Sequence, residues 1–156
     1  MYMKRKEIIK LAISILIPLV LGTIIGLVSQ DNEYIESLER HIIVPNWVFP
    51  FVWTILYILM GTWAYFYERD NEEDNVTIYI YYASLIVNLL FAPIIFLANN
   101  LVLALVDVVI LLGLVGYLFY RSFIVNKRIS YLLLPYLGWL IFALVLMIDL
   151  VASNVF

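Results

Sequence analysis

The chain has 156 residues and a net charge of −3, with 65% hydrophobic and 13% charged residues, and its mean hydropathy is +1.02. A soluble domain is about half apolar and about a quarter charged, so a water-soluble fold is excluded: a chain this short could not hide so much apolar surface. The absence of cysteine removes disulfide scaffolds, thiolate metal sites and Cys nucleophiles, and the small, scattered charge points to no nucleic-acid partner.

The charged residues gather at a few places, and the stretches between them predict an all-α integral membrane protein. It is a single transmembrane domain over residues 1–156, built as a five-helix bundle. The spans run from about Ile8 to Val28, Pro45 to Tyr67, Thr77 to Leu97, Leu101 to Phe123 and Ser130 to Ala152. At ~1.5 Å per residue each is long enough for a ~30 Å hydrocarbon core. A β-barrel is excluded, because the spans are continuously apolar instead of alternating. The first span has a basic flank like a signal peptide but is too long for an h-region, so it reads as a retained helix. Its Gly22 and Gly26 form a GxxxG, a weak signal for close helix packing.

Placing the N-terminus in the cytoplasm puts Lys4, Arg5, Lys6, Lys10, Arg69, Arg121, Lys127 and Arg128 inside, against Arg40 outside. Positive loops stay inside, so the C-terminus is expected outside. In the connection from Ser29 to Val44, Ile35, Leu38 and Ile42 recur at helical spacing among Asp31, Glu33, Glu36 and Glu39. This suggests a short amphipathic piece whose Tyr34, Ile35 and Leu38 form a lid over the outer mouth. The alternative is a solvated loop with a few apolar anchors. His41 in the same loop is expected to be solvated.

In the second span Trp47 and Trp63 lie near the two ends, where an interfacial belt accounts for them. Trp53 does not fit a belt, since eight residues into the span place it ~12 Å deep, with Tyr57 one turn below. In the third span Asn88 is equally deep. A carboxamide in hydrocarbon is costly unless paired, so it serves either as an interhelical hydrogen bond or as a polar anchor for a ligand; Phe91 shares its face. Asp107 is ~9 Å into the fourth span and is expected to be protonated or hydrogen-bonded to a neighbouring helix. In the fifth span Trp139 is ~13 Å deep, with Phe142 and Ala143 one turn beyond, and Asp149 lies near the outer end. Prolines 18, 50, 93 and 135 predict kinks that open space between helices. No Ser/His/Asp arrangement, metal-ligand cluster or phosphate loop is present, so neither conventional catalytic residues nor a metal site is expected.

The segment Pro45 to Tyr65, P-N-W-V-F-P-F-V-W-T-I-L-Y-I-L-M-G-T-W-A-Y, resembles the signature of the TspO/MBR family. These are the tryptophan-rich sensory proteins related to the mitochondrial translocator protein, or peripheral benzodiazepine receptor. The resemblance continues through N-L-L-F-A-P, L-A-L-V-D and P-Y-L-G-W-L-I-F-A in the last three spans. It implies a ligand pocket lined by Trp53, Tyr57, Asn88, Phe91, Trp139 and Ala143, to which the spacing argument adds Phe142. It further implies porphyrins such as protoporphyrin IX as ligand or substrate with no required cofactor, isoquinoline carboxamide or benzodiazepine ligands, a homodimer, and a bacterial inner (plasma) membrane location. Phe91, Ala92 and Met147 stand where the family often has Trp, Ser and Asn. The cholesterol pattern of animal members is absent at the end of the fifth span, and the match at Val115, Tyr117 and Arg121 is a weak one.

The function expected is a membrane receptor or regulator binding a tetrapyrrole. Light- and oxygen-dependent porphyrin degradation, with Trp53 and Trp139 as photochemical partners, is the alternative. A porphyrin transporter is disfavoured, because the chain has no internal two-fold repeat.

Overall fold

Each of the five apolar stretches forms a helix long enough to cross a bilayer. The computed structural model describes residues 4–29 and 33–156, and among these every regular element is helical. The helices are α1 (Arg5–Val28), α2 (Glu33–Glu36), α3 (Val48–Asp70), α4 (Asn75–Ala92), α5 (Leu101–Val125), α6 (Lys127–Ser130) and α7 (Leu134–Asn154). A π-helical turn, Pro93–Leu97, prolongs α4, and a 3-10 turn, Tyr131–Leu133, joins α6 to α7. The crossing units end a few residues from the expected limits. Charge marks the edge of the hydrocarbon, whereas backbone hydrogen bonding continues past it into water. The end of the bundle where α1 begins is called here the basic end, and the other the loop end.

The helix starts are written in the sequence. Asp74 accepts the Thr77 N–H at 3.2 Å to open α4, Asn100 accepts the Leu103 N–H at 2.9 Å to open α5, and Asn126 accepts the Arg128 N–H at 3.1 Å to open α6. Each supplies an oxygen to a first-turn donor that has no intrahelical partner. Of the four prolines expected to kink the spans, two stand where they break no helical bond. Pro50 and Pro135 fall in the first turns of α3 and α7, where the missing N–H breaks no bond. Pro18 lies inside α1, and Pro93 marks the change from α-helical to π-helical bonding.

The core lies between α3, α4, α5 and the start of α7, where Leu56, Met60, Trp63, Leu111, Leu118 and Tyr136 are almost inaccessible. A second cluster, Ile95, Leu101, Ala104, Val108, Met147 and Val151, sits toward the loop end. α1 runs along the outside with Ile8, Ile13, Leu21, Ile24 and Leu27 exposed, the surface that faces lipid. Helices in lipid gain little from hydrophobic association and depend on close packing and polar links. Glycine supplies the first. Gly61 of α3 lies against the Ser14 and Ile15 backbone of α1, and Gly22 of α1 lies under the Tyr57 ring, whereas Gly26 has open space around it. A methyl at Gly61 has rigid backbone in its way. Gly61→Ala is therefore expected to lower stability by about 1 to 2 kcal/mol, while Gly26→Ala is silent. Thermal unfolding of both variants in detergent checks this.

Polar links gather at the basic end. The Asp74 carboxylate accepts hydrogen bonds from Tyr67 Oη at 2.7 Å, Thr77 Oγ1 at 2.8 Å and an Arg121 guanidinium N–H at 2.7 Å. One side chain thereby joins α3, α4 and α5, and Arg121 is engaged there.

Candidate functional site

Four-residue spacing on α3 sets Trp53 and Tyr57 on one face. Their rings stack, with centroids 5.6 Å apart and planes at 29°. Tyr136 meets Trp53 edge-on at 6.2 Å. Tyr57 Oη donates to Asn88 Oδ1 at 3.0 Å, and Asn88 Nδ2 donates to Tyr136 Oη at 2.6 Å. One buried carboxamide therefore ties α3, α4 and α7. Of the two roles open to Asn88, the structure displays interhelical pairing, with one N–H left over. Tyr136 is the hub that sequence reasoning missed. The signal was its place three residues before Trp139, on the same helix face.

Trp139 stands edge-on to Phe49 at 5.9 Å and tilted against Phe142 at 5.4 Å. Like Trp53 it is partly exposed. Among the described residues, neither indole N–H has a hydrogen-bond partner. Trp63 differs on both counts and departs from the interfacial belt expected for it. It is fully buried, stacks on Tyr67 at 4.9 Å, and donates its N–H to Ser122 Oγ at 2.8 Å. Trp47 is exposed, as a belt residue should be.

The ten candidate residues fall into two neighbouring groups. Trp53, Tyr57 and Asn88 are linked directly and through Tyr136, Trp139 touches Phe142 and Phe49, and Trp53 and Trp139 both pack against the main core cluster. Phe91 and Ala143, each about one helical turn nearer the loop end, pack instead against the second cluster, and so do Tyr34, Ile35 and Leu38. Asp107 is buried on α5, and among the described residues its Oδ2 has no hydrogen-bond partner.

The connection is less helical than expected. α2 is a single turn, and Ile42 lies beyond it; Asp31 falls outside the described residues. The cause is competition from α7 for the backbone. Asp149 Oδ2 accepts the N–H groups of His41 at 3.0 Å and Ile42 at 3.3 Å. Asn154 accepts the Glu39 N–H at 2.9 Å and donates to the Glu39 carbonyl at 2.8 Å. A longer helix would need those groups for itself. The His41 side chain is 79% exposed, yet its Nδ1 lies 2.9 Å from Asp149 Oδ1. Ser153 Oγ approaches the same Nδ1 at 3.3 Å. A nucleophile relay needs acid and hydroxyl on opposite ring nitrogens, so these three residues form a clasp and not a triad. No group of three or more His, Asp or Glu able to hold a metal occurs among the described residues.

The fold is a bundle of five apolar helices with Trp53, Trp63 and Trp139 inside its spans. A model of the TspO/MBR family matches residues 14–152. The chain belongs to the TspO/MBR family. It is 32% identical over 145 residues to the tryptophan-rich protein TspO of Archaeoglobus fulgidus, covering 88% of this chain and 92% of that one. It is 30% identical over 115 residues to the tryptophan-rich sensory protein of Cereibacter sphaeroides, covering 73% and 72%. It is also 32% identical over 103 residues to the translocator protein of Sus scrofa, covering 64% and 61%. As a member of this family, with five apolar helices, it is a multi-pass membrane protein.

Proposed function

We propose that the chain is a membrane receptor or regulator that holds a flat tetrapyrrole of the protoporphyrin IX type, and benzodiazepine-receptor-type ligands, against Trp53 and Trp139. The observation that carries this reading is the pair of partly open indoles without hydrogen-bond partners at mid-membrane depth. An N–H in hydrocarbon is costly unless paired, and a ligand with ring nitrogens or oxygens supplies acceptors while its face stacks on the rings. Packing alone would have closed these indoles as it closed Trp63. The Tyr57–Asn88–Tyr136 chain holds the aromatic walls in place. The reading includes a homodimer in a bacterial plasma membrane with the N-terminus in the cytoplasm, where eight of the nine basic residues then lie.

Titration of the detergent-solubilised protein with protoporphyrin IX, followed by the shift of the porphyrin absorption band, tests it. Trp53→Ala and Trp139→Ala should each weaken binding about ten-fold, the loss of one aromatic stacking contact plus a hydrogen bond. Unchanged affinity in both variants would sink the pocket. The stack of Trp53 on Tyr57, two oxidisable rings beside the bound guest, favours porphyrin photo-oxidation as the second reading. Illumination in air should then yield a product distinct from that of bleached free porphyrin.

A further inference from the structure

The connection between the first two spans is fastened to α7 through the only histidine of the chain. Asp149 Oδ2 holds the His41 and Ile42 N–H groups, and Asp149 Oδ1 lies 2.9 Å from His41 Nδ1. A carboxylate can only accept, so Nδ1 carries a hydrogen and donates it. That fixes the tautomer of the neutral ring and leaves Nε2 as a bare lone pair on a side chain that is 79% exposed. Ser153 Oγ, 3.3 Å from the same Nδ1, shares this N–H as a second acceptor.

Proton uptake at Nε2 therefore adds a charge without disturbing the bond at Nδ1. The ring changes from a neutral donor to an imidazolium facing a carboxylate whose side chain is only 16% exposed. Hydrogen bonds between ionised partners are shorter and stronger than those with a neutral donor. Histidine is the side chain that changes charge between pH 5 and 8.

The surroundings leave Asp149 as the counter-charge. It is the only charged side chain of α7. At the loop end α1 carries no charge after Lys10 and α3 none before Glu68, while α5 has only the buried Asp107 before Arg121. On the connection Glu39 and Arg40 precede the ring and oppose each other in sign, and Glu33 and Glu36 stand on α2. Asp31 falls outside the described residues.

We propose that the His41–Asp149 pair is a pH-sensitive latch: a proton on His41 Nε2 tightens the connection on α7, and its loss loosens it. The added hold is complete below the histidine range and is lost as pH rises through it. What the latch secures is the wall formed by Tyr34 and Leu38. That wall bounds a cleft of about 420 Å³, with Asn99 and Asn100 of the α4–α5 turn and Asn154 of α7 opposite. The latch works whether or not a ligand occupies the aromatic site.

Hydrogen exchange of the full chain in detergent at about pH 5.5 and about pH 8, where carboxylates stay ionised and histidine changes charge, tests it. Protection at the His41 and Ile42 amides, taken relative to the intrinsic rate at each pH, should be about two- to five-fold higher at the lower pH. That is the range for one largely exposed ion pair. The Glu39 amide, held by Asn154, serves as the reference and should show no comparable rise. His41→Gln is neutral at both pH values and should abolish the rise at Ile42, and Asp149→Asn, which removes the counter-charge, should abolish it too. Equal protection of the native chain at the two pH values, or a rise that persists in His41→Gln, overturns the latch. The native chain alone gives the first of these readouts, so no variant has to fold for it.

Discussion

Asp74→Ala is expected to destabilise the bundle by about 3 kcal/mol, seen as a lower unfolding temperature in detergent. Four hydrogen bonds end on this carboxylate: from Tyr67, Arg121, and the Thr77 side chain and backbone. Removing it leaves a guanidinium, a phenol and a hydroxyl of α5, α3 and α4 without their common acceptor. Hydrogen bonds to a charged group contribute about 1.5 to 3 kcal/mol each, but the site is partly open to water, so the sum is far below four times that. Partial desolvation pushes the Asp74 carboxyl up. The hydrogen bonds from Arg121, Tyr67 and Thr77 outweigh it and hold the group well below the usual carboxylate range. The sign follows. A carboxyl whose folded value is depressed contributes stability that is complete above its unfolded value, about 3.9, and is lost as pH falls from there toward the folded value. Native protein should lose stability below about pH 4. Asp74→Asn, which keeps the shape and cannot ionise, should start lower at pH 7 and fall less steeply on acidification. Parallel pH profiles for the two proteins would show that the carboxylate charge does not join the three helices.

What the sequence disclosed, and what it hid, divides along the same physical line. Spans are legible because hydrocarbon tolerates so few charges, and the five charge-poor stretches became the five crossing helices. Helix starts at Asp74, Asn100 and Asn126 follow from a local rule, one side-chain oxygen two or three residues before an unpaired N–H. Depth is legible too, and it singled out Trp53, Trp139 and Asn88. Direction around the helix axis is not. Trp63 looked like an interfacial residue until Ser122, 59 positions away, gave its N–H a partner inside the bundle. Gly61 was passed over because its neighbour is the backbone of α1, not a second glycine. The loop misled for a related reason: its apolar spacing is helical, but side chains from the far end of the chain occupy its backbone. Pairings across long separations leave no periodic mark, and the polar links of this bundle are mostly of that kind.

The same long-range capture makes Asp149 the second sensitive position. Its two oxygens hold the His41 N–H, the Ile42 N–H and the His41 ring at 3.0, 3.3 and 2.9 Å, and it stands on α7, a full-length helix whose fold does not depend on the loop. Asp149→Ala should therefore leave overall unfolding nearly unchanged while freeing the segment around His41. Loss of three hydrogen bonds to one carboxylate, offset by solvation of the released groups, is worth about 3 kcal/mol. Local opening is governed by that quantity, so hydrogen exchange at the His41 and Ile42 amides should accelerate about 100-fold. Asp149→Asn retains an acceptor without the charge and should fall between the two. Ser153→Ala should change little, because Ser153 only shares the ring nitrogen at 3.3 Å. Asn154 still pairs with both backbone groups of Glu39, so the Glu39 amide should stay protected in the Asp149 variants. Protection at His41 and Ile42 that survives Asp149→Ala would mean that apolar packing of Tyr34, Ile35 and Leu38 holds the connection down by itself.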